Sequence, residues 1–245
     1  MIPSNRTDAL NRTTSLFGRH RALVGMIHVG ALPGTPKSSQ SIDELLIGAV
    51  RDASKLFDAG FDALLVENMH DVPYLRRNVG PEIVASMSAV TRAVRETIDL
   101  PLGVQILAGA NQAALAVAQS AGCSFIRAEG FAFASVADEG LLDEADAGNL
   151  LRYRRTISAE SIAILADVCK KHSAHAITSD VSFEDQVKTL EFMDADGIIV
   201  TGSATGHPVD GSQVMTATHS CTLPVIVGSG ADAHGTPQNT GRVAV

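Results

Sequence analysis

The chain has 245 residues, of which 45% are hydrophobic and 19% charged, enough apolar material for one large α/β domain or two small ones. A formal net charge of −8 excludes a general nucleic-acid binder, which needs a basic face to neutralise phosphates. The longest apolar runs, such as Ala63-Leu64-Leu65-Val66, are too short to span a bilayer.

Residues 1–21 carry Arg6, Arg12, Arg19 and Arg21 with several Ser and Thr and one acid, Asp8. That bias predicts a leader, either a transit peptide for the mitochondrion or another organelle matrix or a disordered extension of a cytoplasmic protein. From Ala22 onward a rhythm begins. Strand-like apolar runs fall at Ala22–Val29, Ala63–Glu67, Leu102–Leu107, Phe125–Ala128, Ile162–Val168, Gly197–Thr201 and Pro224–Val227. Between them, Ser41 to Asp58 repeats apolar residues at helical spacing behind a Ser41/Glu44 capping box, with Gly60 placed to end the helix. Pro81 suits the first turn of a second helix, Asn111 a cap of the third, and Ser182 with Asp185 the start of another. Cys123, Cys169 and Cys221 are widely spaced and form no C-x-x-C pair, which fits free thiols in a reducing compartment.

Strands buried on both faces and alternating with helices predict a parallel sheet. No G-x-G-x-x-G follows the first run, and polar residues follow nearly every run, so a (β/α)8 barrel of TIM type is expected over residues 22–230. The carboxyl ends of those strands supply the candidate site. They offer His28; Glu67 and Asn68; Arg127 and Glu129; Asp167, with Lys171 and His172 behind it; Thr201 and Gly202; and the triplet Gly228, Ser229 and Gly230. An acid that closes an apolar strand is paired or functional, so Glu67 and Asp167 are candidate general bases. Lys170 and Lys171 are adjacent, and at most one of them faces the site. Arg127 and Glu129 either neutralise one another or bind substrate, and His28 is either catalytic or a hydrogen-bonded core histidine. The glycine triplet can approach phosphate oxygens or simply make a tight turn. Ala132 to Gly148 reads as a long acidic loop over the site, with Asp138 and Glu139 either facing a ligand or solvated at the surface. Glu67, Asp167, His28 and His172 are donors that a divalent metal can use, but no H-x-H or H-E-x-x-H pattern compels one, and nothing identifies a cofactor.

The stretches "VGMIHVGALPGTP", "LLVENMHDVPY", "GVQILAGAN", "FIRAEGF", "KKHSAHAITSD" and "DGIIVTGSATG" resemble the BtpA/SgcQ family, in order, from Ala22 to Gly230. The resemblance implies the fold of the phosphate-binding TIM barrels. It points to two kinds of role, an enzyme acting by acid/base catalysis on a small phosphorylated metabolite or nucleoside, or a non-catalytic assembly factor that keeps the barrel. The tail departs from that pattern. Residues 231–245 are interrupted by Gly235, Pro237 and Gly241, so the expectation is a shortened barrel without its eighth strand and flanking helices. Its first and seventh strands would keep bare edges, open to pairing with a second copy.

Overall fold

A helix, α1 (Ser4–Phe17), opens the computed structural model, which describes residues 4–202, 204, 207–229 and 243–244. Strands and helices then follow in the order β1 (Val24–His28), α2 (Ile42–Asp58), β2 (Ala63–Glu67), α3 (Pro81–Thr97), β3 (Leu102–Gln105), α4 (Asn111–Ala121) and β4 (Phe125–Ala128). Next come β5 (Ser135–Ala137), β6 (Gly140–Leu142), α5 (Ala147–Thr156), β7 (Ala163–Val168), β8 (Ser173–Ala174), α6 (Phe183–Phe192), β9 (Gly197–Val200), α7 (Gly211–Ser220), β10 (Val225–Val227) and β11 (Val243–Ala244). The chain divides into two compact units, one of Val24–Ala128 and Asn149–Ala163, the other of Met1–Leu23, Glu129–Gly148 and Ile164–Val245.

In the unit containing β1 to β4, these strands lie side by side in parallel, in chain order. All five residues of β2 are buried, which is why its sequence is apolar without alternation. Helix α2 starts on the capping box of Ser41 and Glu44 and buries Leu45, Ala49 and Ala53. Helix α3 starts on Pro81 and buries Ile83, Met87, Val90 and Val94, each worth about 1.5–3 kcal/mol when fully removed from water. Asn111 is the first residue of α4 and not its cap; the cap position is Ala110, with no side-chain bond. Gly122 ends α4 in the left-handed region at φ 74°, a conformation that suits glycine.

Two small residues tell which way the strand side chains point. A Cβ on Gly25 would meet Leu56 of α2, so Gly25 faces the helix and, by alternation, His28 faces away from it. A Cβ on Gly103 would run into the ring of Phe125, which lies across β3 on that same inner face. The inner row at the strand ends is therefore polar, above an apolar floor of Leu65 and Phe125.

In the other unit β7, β9, β10 and β11 pair in parallel, with α6 packed on α7. Ser182 and Asp210 cap these two helices through their side chains. Three expectations change here. The stretch from Ala132 to Gly148 is not an irregular loop: β5 and β6 form a hairpin, and β8 adds to β5 antiparallel. Alternation in "SVADEGLL" is too short to stand out by period, but Asp138 and Glu139 make its turn. The tail contributes a strand after all, since Val243 and Ala244 pair in parallel with Ile226 and Val227 and cover part of the edge expected to be bare. Residues 4–17 are helical, with Thr13 and Phe17 buried, where a disordered leader was one of two expectations.

Candidate functional site

Register brings four of the strand ends together. His28 of β1 pairs with Glu67 of β2, and Glu67 pairs with Gln105 of β3. Arg127 follows one residue beyond Ile126, which pairs with Val104. Registered neighbours in a parallel sheet share a face, so His28, Glu67, Gln105 and Arg127 form one row on the inner side. Within that row His28 Nε2 lies 3.3 Å from Glu67 Oε2; the imidazole is 40% exposed and the carboxylate only 10%. Gln105 is 2% exposed, and its Oε1 has no hydrogen-bond partner among the described residues. A buried acceptor without a donor costs stability unless something fills it, so this oxygen is positioned for a ligand O–H or N–H. Arg127 is equally buried at 2%.

The chemistry of the pair follows from which nitrogen is used. Nε2 is the ring nitrogen that meets Glu67, at ion-pair distance, and the carboxylate stabilises an imidazolium formed when the ring takes a proton. The loop that carries this row is tied down by a buried carboxylate. Asp71 accepts from the Leu32 N–H at 2.8 Å and from Asn68 Nδ2 at 2.7 Å, while Asn68 Oδ1 accepts from the Leu107 N–H at 2.8 Å. Asn68, expected to bind substrate, is thus engaged in joining the loops after β1, β2 and β3. Burial pushes the Asp71 carboxyl above its ordinary value, against the lowering effect of those two bonds and of His70.

The other unit has its own strand-end groups. Asp167 is the penultimate residue of β7 and is 5% exposed. Beyond it, Lys170 and not Lys171 is the buried lysine: its ammonium lies 2.6 Å from Glu139 Oε1 and 3.9 Å from Glu129 Oε2, with all three side chains at 7% exposure or less. The reversal has a backbone cause. Cys169 adopts φ 51°, which ends the strand at Val168 and turns the next residue inward. Lys171 is half-buried and His172 exposed, so neither matches the interior placement of Asp167. Glu129 is held by this ammonium, and Glu139 ties the hairpin to it.

At the ends of β9 and β10, the Thr201 hydroxyl is buried with no partner among the described residues. The Gly202 N–H donates to Ser229 Oγ at 2.8 Å, and the Gly228 N–H donates to the Val200 carbonyl at 2.9 Å. The Gly228 amide, expected to approach a phosphate, and the Gly202 amide, expected to meet substrate, are therefore occupied by internal bonds. A side chain at Gly202 would collide with the His207 carbonyl, so close backbone approach is reason enough for that glycine. Gly230 lies outside the described residues. No cluster of three or more metal-ligating side chains occurs among the described residues.

Residues 19–240 match the BtpA family. The chain is 47% identical over 223 residues to an uncharacterized mitochondrial protein of Caenorhabditis elegans, covering 89% of this chain and 80% of that one. It is 34% identical over 217 residues to the photosystem I biogenesis protein BtpA of Synechocystis, covering 88% and 75%. Among solved structures it is similar to the N-acetylmannosamine-6-phosphate 2-epimerase of Clostridium perfringens, with a TM-score of 0.55 at 13% identity over 94% of this chain and 86% of that one. It is also similar to a 7,8-dihydropteroate synthase of Vibrio fischeri, with a TM-score of 0.52 at 14% identity over 85% and 73%. At such identities the structural likeness speaks to fold, and the fold is that of an incomplete (β/α)8 barrel.

Proposed function

The chain belongs to the BtpA family, and from that premise we propose that it is an enzyme that moves a proton on a small phosphorylated metabolite. The observation that carries this reading is the half-exposed His28 held by the buried Glu67, with the unpartnered Gln105 oxygen next in register. The His28 ring takes or returns the proton, Glu67 orients the ring and balances its charge, and Gln105 accepts a hydrogen bond from the substrate. A phosphorylated substrate agrees with the name of the structurally similar epimerase, which acts on a 6-phosphate. Asp167 near the end of β7 and the buried Thr201 hydroxyl are further polar groups for ligand contact in their own unit. Relatedness to the mitochondrial nematode protein, with the basic composition of residues 1–21, supports a mitochondrial location.

The test is turnover. The purified chain would be incubated in D2O with a panel of sugar phosphates and nucleosides, and deuterium uptake or product read by NMR. Glu67→Gln should lower the rate about 10²–10⁴-fold, the range for loss of a positioned acid/base group, with an unchanged circular dichroism spectrum. Full activity in Glu67→Gln, or no turnover of any compound by the unaltered chain, overturns the enzyme reading. The second outcome leaves the assembly role carried by the name of the Synechocystis relative.

A further inference from the structure

Between the loop after β1 and the flank of α2 lies a cleft of about 390 Å3. His28, Gly30, Lys37, Gln40, Gly48 and His70 are among its walls. Gly48 is the informative residue. It sits inside α2, where glycine weakens a helix relative to alanine, yet a Cβ built there meets nothing within 4 Å. Packing does not require a glycine at that position, and the missing Cβ leaves the cleft wider.

The charges around the cleft sort by what they already hold. Glu44 accepts from the Ser41 N–H and hydroxyl at 2.7 and 2.9 Å, closing the capping box. Asp52 lies between Arg51 at 3.2 Å and Lys55 at 3.4 Å. Both acids on the wall are thus engaged with partners of their own. Lys37, by contrast, has no ion-pair or hydrogen-bond partner among the described residues, and its exposed ammonium, the Gln40 amide and the exposed His70 ring supply donors.

We propose that this cleft is the subsite for the phosphate group of the substrate, with Lys37 supplying the charge, His70 a ring donor, and His28 linking it to the reacting end. The inference rests on the acid/base reading of His28 and deepens it, by giving the phosphate a place other than the glycine turns after β9 and β10. Those turns have their Gly202 and Gly228 amides closed by internal bonds. A phosphate dianion suits the cleft because it accepts several hydrogen bonds at once from ammonium, imidazole and amide donors.

Inorganic phosphate titrated into the full chain, followed by calorimetry and by the NMR shifts of backbone amides, tests the assignment. The unaltered chain should bind phosphate with the largest shifts at residues 30–40 and 48. Lys37→Ala with His70→Ala should weaken binding at least about tenfold, a loss of 1.4 kcal/mol or more. Gly48→Ala should raise Tm while weakening phosphate binding, a combination that a purely structural glycine does not produce. Ser229→Ala should leave the affinity unchanged. Absence of phosphate binding by the unaltered chain, undiminished affinity in the cleft variants, or its loss in Ser229→Ala each overturns the proposal. Glu67→Gln should still bind phosphate, so a failed subsite and a failed acid/base pair give different results.

Discussion

At the scale of single residues, Asp71 shows how much of a site can depend on a group that touches no substrate. Its two oxygens take one donor each, from Leu32 and Asn68, and Asn68 passes the link on to Leu107. Asp71→Asn places an amide nitrogen against the Asn68 amide nitrogen, and flipping Asn68 would leave the Leu107 N–H without its acceptor. We expect a loss of about 1–3 kcal/mol in urea unfolding, the size of an unsatisfied buried polar group. Adding Asn68→Asp restores a donor for every acceptor, and the double variant should recover most of the loss. The pH dependence has a definite sign. The carboxyl is raised above its ordinary value of 3.8, so the folded chain binds this proton more tightly than the unfolded one. Asp71 therefore adds stability as pH falls through the window from its raised value down to 3.8, and opposes folding above that window. The gap between the unaltered chain and Asp71→Asn should widen on acidification through that range; a narrowing gap would contradict the buried carboxyl. A strand-end acid was visible as a pattern, but this division of labour between Glu67 and Asp71 was not, because it depends on which loop folds back to supply the donors.

At the scale of elements, the hairpin of β5 and β6 is fastened by charge. Lys170 faces Glu139 and Glu129, with side-chain exposures of 7% and 3%. Lys170→Met removes the cation and leaves two buried acids, a change that costs about 3–5 kcal/mol in comparable buried pairs. Glu139→Gln should cost less, since Glu129 still balances the ammonium. Hydrogen exchange should report both, with amides of residues 135–142 exchanging faster in Lys170→Met than in Glu139→Gln. Equal, unperturbed exchange would show that β-pairing alone holds the hairpin. Periodicity located the main parallel strands and the helices α2, α3, α4 and α6 because each signal is local: an apolar face every three or four residues, a capping box, a proline in the first turn; it did not mark α5 or α7. The hairpin escaped because its strands have three residues each, and the choice between Lys170 and Lys171 escaped because it depends on the left-handed Cys169, which the sequence does not announce.

At the scale of the whole molecule, the first segment is the open question that an experiment can close. Residues 1–21 have the composition of an address, yet α1 buries Thr13 and Phe17, the latter to 3% exposure. A chain beginning at residue 22 should unfold at a lower temperature than the full chain, and Phe17→Ala alone should cost about 3–5 kcal/mol, as large aromatic truncations in a core do. The same residues fused to a fluorescent reporter should direct it to mitochondria. An unchanged Tm on removal would make the segment a detachable leader; a cytosolic reporter would count against the location drawn from the nematode relative.

The sequence by itself determined the parallel strand–helix alternation, the caps of α2 and α6 and the family, because these follow from short-range periodicity and from motifs contiguous in the chain. It also named His28 and Glu67 as strand-end groups. Only the tertiary structure decided that they meet at 3.3 Å with Gln105 beside them, since that depends on the register between strands whose ends lie 38 or more residues apart in the chain. It likewise decided that Lys170 is the buried lysine, that Gly202 and Gly228 spend their amides on internal bonds, and that Gly48 opens a cleft beside His28. Each of these is a matter of which group lies within hydrogen-bonding distance of which other. Distance of that kind is set by long-range packing and by single backbone conformations, such as the left-handed turn at Cys169, which leave no periodic trace in the chain.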